Sequence, residues 1–237
     1  MTTVGIHQPQ YLPWLGLIDR ASRCDVFVVL DSVPYSKNYF YNRNKIKTAN
    51  GPIWLTVPVL TKGQMGQPFT DTKIDIRQDW RSKHWKSIVL SYRNASCFSE
   101  YQGFLEECLK REWPVLADLC LDTFQKLLTL FGIHTPVVRS SSMPLQGSKE
   151  ELLLNICREV GASRYLSGPD GRNYLTPERW KEANIAVDFQ SYVHPAYPQL
   201  YGEFVPNLSC IDLLFNCGDR SLTLLRKDQP KYFCKPI

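Results

Sequence analysis

Short apolar runs alternate with amphipathic stretches along most of this chain. Thr3–Ile6 and Asp25–Leu30 have β-strand character, and the residues from Trp14 to Ala21 carry apolar side chains at helical spacing. Because the second run is apolar almost throughout, it fits a strand buried on both faces of a parallel sheet. The right-handed connection of such a βαβ unit places both strand ends at one edge, where open α/β sheets bind ligands.

Longer amphipathic segments fill the middle of the chain. Helices are predicted at Trp80–Tyr92, Phe98–Lys110 and Val115–Phe131, the last closed by Gly132. The strand–helix rhythm then returns, with strands predicted at Thr135–Arg139, Ser163–Ser167 and Ala186–Gln190, and helices at Gly147–Val160, after Pro177, near Leu208–Cys217 and at Ser221–Leu225. The pattern predicts a single α/β domain over residues 1–237. It has a mostly parallel sheet, flanking helices and an inserted helical layer or subdomain at about residues 80–131.

Composition narrows the class of protein. Hydrophobic residues make up 43% and charged residues 22% of the 237 residues, which excludes disordered, collagen-like and coiled-coil classes. The net charge of +5 favours anionic ligands but is too small for a protein that coats nucleic acid. The first 20 residues lack the zones of a signal peptide, and Val26–Leu30 is far shorter than a membrane span. We therefore expect a cytoplasmic protein without a membrane-spanning segment.

Cysteine and histidine spacing gives no sign of a metal site or of disulfides. The eight cysteines are scattered and form no CxxC motif, which is typical of buried core thiols. Cys210 and Cys217 are seven positions apart in a predicted helix, too far for a disulfide. No histidine lies at helical ligand spacing from a cysteine, so we expect no structural metal.

His7 is the first candidate for chemistry, because it ends the first predicted strand and begins a loop bracketed by prolines. Loops at strand ends carry sites, and histidine titrates near neutral pH. The alternative is a histidine bonded only to loop backbone. Gln8 and Tyr11 share this loop as candidate binding residues. Asp31 follows the second strand at the same edge, where it could orient a histidine or bind a sugar hydroxyl. His84 and His134 are interpreted as structural.

Cations alternate with aromatic residues from Asp31 to Lys47. The pattern offers fixed charge for phosphate and flat faces for a base or a sugar. Two alternatives remain, a solvated face and a short platform for single-stranded nucleic acid. The candidate binding residues of this stretch are Tyr35, Lys37, Tyr41, Arg43, Asn44 and Lys47.

Two later loops add further candidates. The turn from Gly168 to Tyr174 follows a predicted strand, so its backbone N–H groups could meet an anion, although a simple left-handed turn explains the glycines equally well. Prolines hold polar side chains in place between Gln190 and Asp212, which favours a small-molecule site. Asp212 could instead join Asn207 and Ser209 at a helix N-terminus. The candidates in these loops are Ser167, Gly168, Arg172, Tyr174, His194, Tyr197, Gln199, Asn207 and Asp212.

The chain has no P-loop, GxGxxG, GxSxG or HExxH motif, so common nucleotide-binding, hydrolase and protease signatures are missing. Four blocks instead resemble the WbqC-like family: His7–Gly16, Asp31–Lys47, Tyr165–Tyr174 and His194–Phe215. The resemblance covers nearly the whole chain and implies a role in bacterial surface-polysaccharide biosynthesis, in the modification of amino sugars. The N-terminal unit is also similar to the nucleotidyltransferase and pantothenate-synthetase group, which implies that ATP phosphates bind near the histidine loop.

The resemblance and the candidate residues together predict an enzyme that forms an amide on a nucleotide-linked amino sugar. The reaction is acyl or aminoacyl transfer in O-antigen-type glycan biosynthesis, with an ATP-activated carboxylate as one source of the acyl group. In this scheme His7 or His194 removes the ammonium proton so that the amine can attack. Phosphate oxygens are held by Lys37, Arg43 and Lys47, and Tyr35 and Tyr41 stack or donate hydrogen bonds.

Three alternative functions stay open. The first is a nucleotidyltransferase that forms no amide, and the second is a non-catalytic protein that binds nucleotide-sugars or acts as a scaffold. The third is a tRNA-dependent aminoacyl transferase. The expected partners are a nucleotide-linked amino sugar and a small acyl or aminoacyl donor. No bulk binding of nucleic acid is expected, and tRNA stays open as a partner. ATP and Mg²⁺ are compatible cofactors.

Overall fold

The structure is a computed structural model that describes residues 1–37, 39–61, 63 and 66–229, so Cys234 lies outside the described residues. The strands are β1 (Thr3–His7), β2 (Val26–Val29), β3 (Arg43–Thr48), β4 (Gly51–Thr56), β5 (Val137–Arg139), β6 (Arg164–Ser167) and β7 (Ala186–Phe189). The helices are α1 (Leu15–Ala21), α2 (Trp80–Tyr92), α3 (Phe98–Lys110), α4 (Leu116–Leu130), α5 (Lys149–Glu159), α6 (Pro177–Glu182), α7 (Ile211–Cys217) and α8 (Ser221–Arg226).

Five of these strands form one parallel sheet in the order β5-β2-β1-β6-β7. The predicted fold class is therefore confirmed. The chain leaves β1 toward β2 on one side, and it leaves β6 toward β7 on the other. The direction of winding thus reverses between the carboxyl ends of β1 and β6. Ligands of open α/β sheets bind at such a reversal.

Helices cover both faces of the sheet. Phe27 and Val29 of β2 belong to one buried cluster, which also contains apolar residues of α1, α2, α3, α4 and α7. Val28 points to the opposite cluster, which contains Leu153 of α5 and Trp180 of α6. Alternate side chains of β2 therefore enter two different cores, which explains why its sequence is apolar without a break.

The helical layer matches its prediction closely. Helices α2 and α3 begin and end at the predicted residues, and α4 is one residue shorter at each end than expected. Strong apolar periodicity over more than a dozen residues is the most dependable sequence signal of a helix. Within the described ranges, none of the helices combines the length and the apolar character that crossing a bilayer requires.

An antiparallel hairpin of β3 and β4 is the main departure from the predicted elements. The stretch Asp31–Lys47 was interpreted as a candidate binding segment, and no strand was predicted within it. Strand β3 was not predicted because one of its buried residues, Asn44, is polar. The Asn44 side chain donates a hydrogen bond of 2.6 Å to the Leu12 carbonyl. A polar residue on the buried face hides the alternation that identifies a strand. Strand β4 ends before Pro58, which lacks the N–H that a ladder needs.

Candidate functional site

A cavity of about 610 Å³ opens where the winding of the sheet reverses. Its walls come from the loop after β1, from α1, from the loop after β6 and from the segment before β3. Six residues singled out in the sequence line it, namely His7, Gln8, Tyr41, Gly168, Tyr174 and Asn207. Tyr39 and Phe40 come from the stretch of cations and aromatic residues, and Pro169–Gly171 come from the turn, that the sequence pointed to. The lining residues that sequence reasoning missed are Ile6, Gln10, Trp14, Arg20, Tyr165 and Gln190.

Arg20 is the only arginine in this lining and is 5% exposed. Its Nε has no hydrogen-bond partner, and its guanidinium forms no hydrogen bond or salt bridge with any described residue. Burial lowers the pKa of Arg20, and the guanidinium nevertheless stays charged at neutral pH. A buried cation without a partner is costly, so this group is suited to an anion that enters the cavity.

His7 lies at the carboxyl end of β1 and is held by its own loop. The ring Nδ1 is 2.8 Å from the Gln8 carbonyl oxygen, so Nδ1–H donates and Nε2 keeps its lone pair. Burial and the positive charge of Arg20 lower the pKa of His7 to about 3. The imidazole is therefore neutral at physiological pH, with a lone pair on Nε2, and is a weak base in the free protein.

The loop after β6 forms the opposite wall. It makes a 3₁₀ turn over Pro169–Asn173, and the exposed Asp170 is one of the residues that line the cavity. Gly168 has no side chain at the point where Arg20 passes, and a Cβ there would lie 2.8 Å from the arginine Nη1. Ser167 is fully buried under Gly171, where a Cβ would meet its Oγ. The glycines of this loop therefore provide space for neighbouring side chains.

Aromatic rings form the outer wall. Tyr39 and Tyr41 stack with ring centroids 5.4 Å apart, and Phe40 follows the same rim. The Tyr11 backbone N–H donates to the Tyr41 carbonyl at 2.9 Å, which fixes this segment to the loop after β1. These flat faces are suited to a base or to a sugar ring.

Asp31, expected near His7, lies outside the cavity lining. Its side chain is fully buried and accepts hydrogen bonds from Arg139 Nε at 2.5 Å and from the Ser141 N–H and hydroxyl at 2.9 Å. Ser140 Oγ donates to the same carboxylate at 3.1 Å. The carboxylate is thus fully engaged in joining the end of β2 to the end of β5.

Asp212 organises a second buried polar cluster outside the cavity. The side chain lies in the first turn of α7 and is 1% exposed. It accepts hydrogen bonds from the hydroxyls of Tyr92 and Tyr197 at 2.8 and 2.9 Å and from Gln199 Nε2 at 2.7 Å. Lys47 Nζ donates to Gln199 Oε1 at 3.2 Å. Burial raises the pKa of Asp212. Four predicted binding residues therefore meet, but away from the cavity.

His194 closes the loop that carries Asn207 into the cavity. The Asn207 N–H donates to His194 Nε2 at 3.2 Å, and Nδ1 of the same ring is 3.0 Å from the Pro195 carbonyl oxygen. Burial lowers the pKa of His194, which favours the neutral ring that can accept from Asn207. Both ring nitrogens therefore hold the loop, whereas His7 keeps one nitrogen for the cavity.

Two predicted binding tyrosines are buried beside the site. Tyr11 is fully buried, with its hydroxyl 3.0 Å from His84 Nδ1. The Tyr35 hydroxyl donates to Asn42 Oδ1 at 3.1 Å. Their bonds fix the loops that support the cavity.

The remaining predicted cations lie at the surface around the site. Lys37 is exposed. The Arg43 guanidinium lies 4.5 Å from the ring centroid of Trp54, and Arg172 lies 4.3 Å from that of Phe189. None of these cations lines the cavity, so Arg20 takes the place that sequence reasoning gave to them.

Comparison with known proteins agrees with the resemblance seen in the sequence blocks. The sequence model of the WbqC-like protein family matches residues 8–223. The chain belongs to this family. It is also 35% identical over 228 residues to "Uncharacterized protein Rv1507c" of Mycobacterium tuberculosis (strain ATCC 25618 / H37Rv), a match that covers 95% of this chain and 98% of the relative. No solved structure matches the chain.

The part of the chain matched to the WbqC-like family includes Arg20 and the loop from Gly168, and it begins one residue after His7. Within the described residues, no group of three or more His, Cys, Asp or Glu side chains is placed to hold a metal ion. Among the described residues, the side chains that line this WbqC-like cavity include one cation, one imidazole, one carboxyl group and several amide and phenol groups.

One sequence signal could have found Arg20. It lies three residues after Leu17, so it shares one side of the short helix with an apolar residue of the predicted stripe. A charged residue on the apolar side of a short helix must either find a buried partner or face a cavity. Which of these applies depends on residues far away in the sequence.

Proposed function

We propose that this WbqC-like protein forms an amide on the amine of a nucleotide-linked amino sugar. The observation that carries the proposal is the unpartnered guanidinium of Arg20 beside the neutral imidazole of His7 in one cavity. The cation supplies the charge that a phosphate group needs, and the imidazole supplies the base that an amine needs. The cavity volume of about 610 Å³ is within the usual range of small-molecule sites.

His7 is the proposed general base. An ammonium group has no lone pair, so it must lose a proton before it attacks. In the proposed step His7 Nε2 takes that proton and the amine nitrogen bonds to the acyl carbon. The bond from the acyl carbon to its activating group breaks, and that group leaves with the electron pair. The nitrogen releases its second proton to the leaving group or to water, which gives the neutral amide. The acyl group enters already activated, for example as an acyl-adenylate made from ATP with Mg²⁺.

Substrate binding itself would strengthen the base. The positive charge of Arg20 contributes to the low pKa of His7. A phosphate that pairs with Arg20 neutralises this charge, so the pKa of His7 rises when the anion is bound. The free protein therefore has a weak base, and the complex has a stronger one.

The other walls can select the sugar and the nucleotide. Tyr39, Phe40 and Tyr41 offer flat faces to a base or to a sugar ring. Asp170 and Asn207 present a carboxylate and an amide that can accept and donate hydrogen bonds to sugar hydroxyls. The proposal keeps the cytoplasmic location expected from the sequence.

The first experiment measures ligand-induced thermal stabilisation and then turnover. We expect a dTDP-, UDP- or GDP-linked amino sugar to raise the melting temperature, since ligand at a hundred times its Kd adds about 2.7 kcal/mol. Arg20→Met should abolish the rise, Arg20→Lys should keep part of it, and Arg93→Gln on the exposed end of α2 should keep all of it. His7→Gln should retain binding and lose amide formation, followed by mass spectrometry with ATP plus carboxylic or amino acids as donors.

Other outcomes would contradict the proposal. Equal stabilisation of wild type and Arg20→Met would place the anion elsewhere, and full turnover of His7→Gln would remove the base. Pyrophosphate release without any amine would indicate the nucleotidyltransferase alternative. Ligand binding without product under every donor would indicate a binding or scaffolding protein.

A further inference from the structure

The net charge of the protein is concentrated in one segment. Residues 32–70 contain five basic residues, Lys37, Arg43, Lys45, Lys47 and Lys62, and no Asp or Glu. Without these five, the chain has 23 basic and 23 acidic residues, so the rest of the molecule is neutral overall. An excess of one sign in one segment creates a local positive potential that attracts polyanions.

The same segment exposes aromatic rings on the β3–β4 hairpin and just before it. Tyr39 is 58% exposed, Phe40 45% and Trp54 41%. Phe40 and Trp54 have ring centroids 5.5 Å apart, and Arg43 and Lys45 lie 4.5 and 4.9 Å from the Trp54 ring centroid. Large exposed aromatic groups beside cations mark binding surfaces in monomeric proteins.

Charge argues against a second copy of this chain as the occupant. A two-fold interface on this face would bring two sets of cations together without acidic residues between them. A polyanion removes this repulsion. The exposed rings indicate which polyanion binds. They can stack on the faces of unpaired bases but not on bases inside a duplex, so they favour a single strand.

The surface is continuous with the cavity. Tyr39 and Phe40 belong both to the exposed surface and to the cavity rim. A strand lying on the hairpin can therefore insert one end at the cavity mouth. The six residues of β3 span about 20 Å, which matches a few nucleotides.

We propose that the outer face of the β3–β4 hairpin binds single-stranded nucleic acid, with one end of the strand at the cavity mouth. Phosphates meet Lys37, Arg43 and Lys45, and bases stack on Phe40 and Trp54. This binding does not depend on amide formation in the cavity. It would deliver a group attached to the strand end to the place where Arg20 and His7 act.

Fluorescence anisotropy with the full chain tests the proposal. The probes are a labelled 12-nucleotide RNA, DNA of the same sequence, the corresponding duplex and a poly-glutamate peptide of equal charge, at 50 and 200 mM salt. We expect at least one single strand to bind more tightly than the duplex and the peptide. The logarithm of its affinity should fall against the logarithm of salt with a slope of about −2, for three cations on a single strand. Binding of the RNA strand but not of the DNA strand would identify RNA as the ligand of the hairpin face.

Variants separate this surface from the cavity. Trp54→Leu should weaken strand binding about tenfold through lost stacking, and Trp54→Phe should restore most of it. Lys45→Gln should reduce the salt slope by about 0.7. The double variant Lys83→Gln with Lys86→Gln, which removes two exposed cations from α2, should change neither. Circular dichroism checks that each variant is folded.

Three results would overturn the proposal: equal binding of duplex or peptide, strand binding unaffected by Trp54→Leu, or no strand binding at all. Self-association that Trp54→Leu abolishes would instead assign the face to a second copy. Because Arg20→Met removes nucleotide-sugar binding but should leave strand binding intact, failure of this proposal is distinct from failure of the proposed function.

Discussion

Arg20 and Arg139 show how the same residue type serves different ends in this molecule. Arg139 pairs with the buried carboxylate of Asp31 at 2.5 Å and with Asp118 at 2.7 Å. Arg20 is more buried but has no such partner among the described residues. We infer that the first arginine stabilises the fold, whereas the second, a buried cation without such a partner, lowers the stability of the free protein.

This contrast predicts that replacing each arginine by methionine has a different effect on the free energy of unfolding. Arg20→Met should leave the free energy of unfolding unchanged or raise it by about 1 kcal/mol, because an unpaired buried cation is replaced by an apolar chain of similar length. Arg139→Met should lower it by about 3 kcal/mol, because Asp31 is left as a buried charge without its partner. Urea unfolding of the free protein measures both. A large loss of stability in Arg20→Met would mean that the guanidinium has a structural role.

The histidines show what residue patterns can and cannot reveal. His7 could be expected at the cavity because it ends a predicted strand at the ligand-binding edge of the sheet. His194 was predicted as an equal candidate for the general base. In the structure, however, its ring nitrogens bond to the Asn207 N–H and the Pro195 carbonyl within the loop. The use of a polar side chain depends on its neighbours in space, which a sequence pattern does not specify.

At the scale of elements, the loop after β6 depends on one glycine for steric reasons. Gly168 has φ of −67° and ψ of 167°, which any residue can adopt. Its requirement for glycine comes instead from the guanidinium of Arg20, 2.8 Å from the position of a Cβ. The loop and α1 are thus fitted to each other at the cavity wall.

We expect Gly168→Ala to fold normally and to weaken nucleotide-sugar binding about tenfold, or about 1.4 kcal/mol. The added methyl group displaces Arg20 from its place beside the ligand. In the Arg20→Met background the same alanine should have no further effect, because the group that it displaces is gone. Isothermal titration of the four proteins in this double-mutant cycle measures the coupling. Additive effects would show that Gly168 acts independently of Arg20.

Elements differ in how well their sequences predict them. The long helices α2 and α3 were predicted to the residue. An apolar stripe that faces the core explains this for α3, whereas the buried side of α2 also contains His84 and Ser91. Strand β3 was not predicted, because buried Asn44 and Lys47 are satisfied by distant groups. Apolar periodicity identifies the buried face of a strand or helix only where the buried side chains are themselves apolar.

At the scale of the molecule, Asp212 joins parts of the chain that are far apart in sequence. Its carboxylate on α7 is bonded by Tyr92 of α2 and by Tyr197 and Gln199 of the preceding loop. Gln199 in turn accepts from Lys47 of β3. The helical layer, the hairpin and the C-terminal helix are therefore held by one polar cluster.

Asp212→Ala should lower the free energy of unfolding by about 3 kcal/mol or more, because two buried donors, Tyr92 and Tyr197, and the half-buried Gln199 lose their acceptor. Tyr92→Phe, which removes a single donor, should cost about 1 kcal/mol. Denaturant unfolding followed by tryptophan fluorescence compares the two. If Asp212→Ala were no less stable than Tyr92→Phe, the cluster would not hold these parts together.

The sequence by itself determined the α/β class, the succession along the chain of the strands and helices that build the parallel sheet, the bounds of the helical layer and the family. These properties follow from local periodicity and contiguous blocks, which need no knowledge of distant contacts. Only the tertiary structure decided that Arg20 faces the cavity, that Asp31 and Asp212 are engaged elsewhere, and that Arg43–Thr48 is a strand. Each of these depends on which polar groups meet after burial, because a buried charge or amide is tolerated only where a distant residue satisfies it or a ligand can.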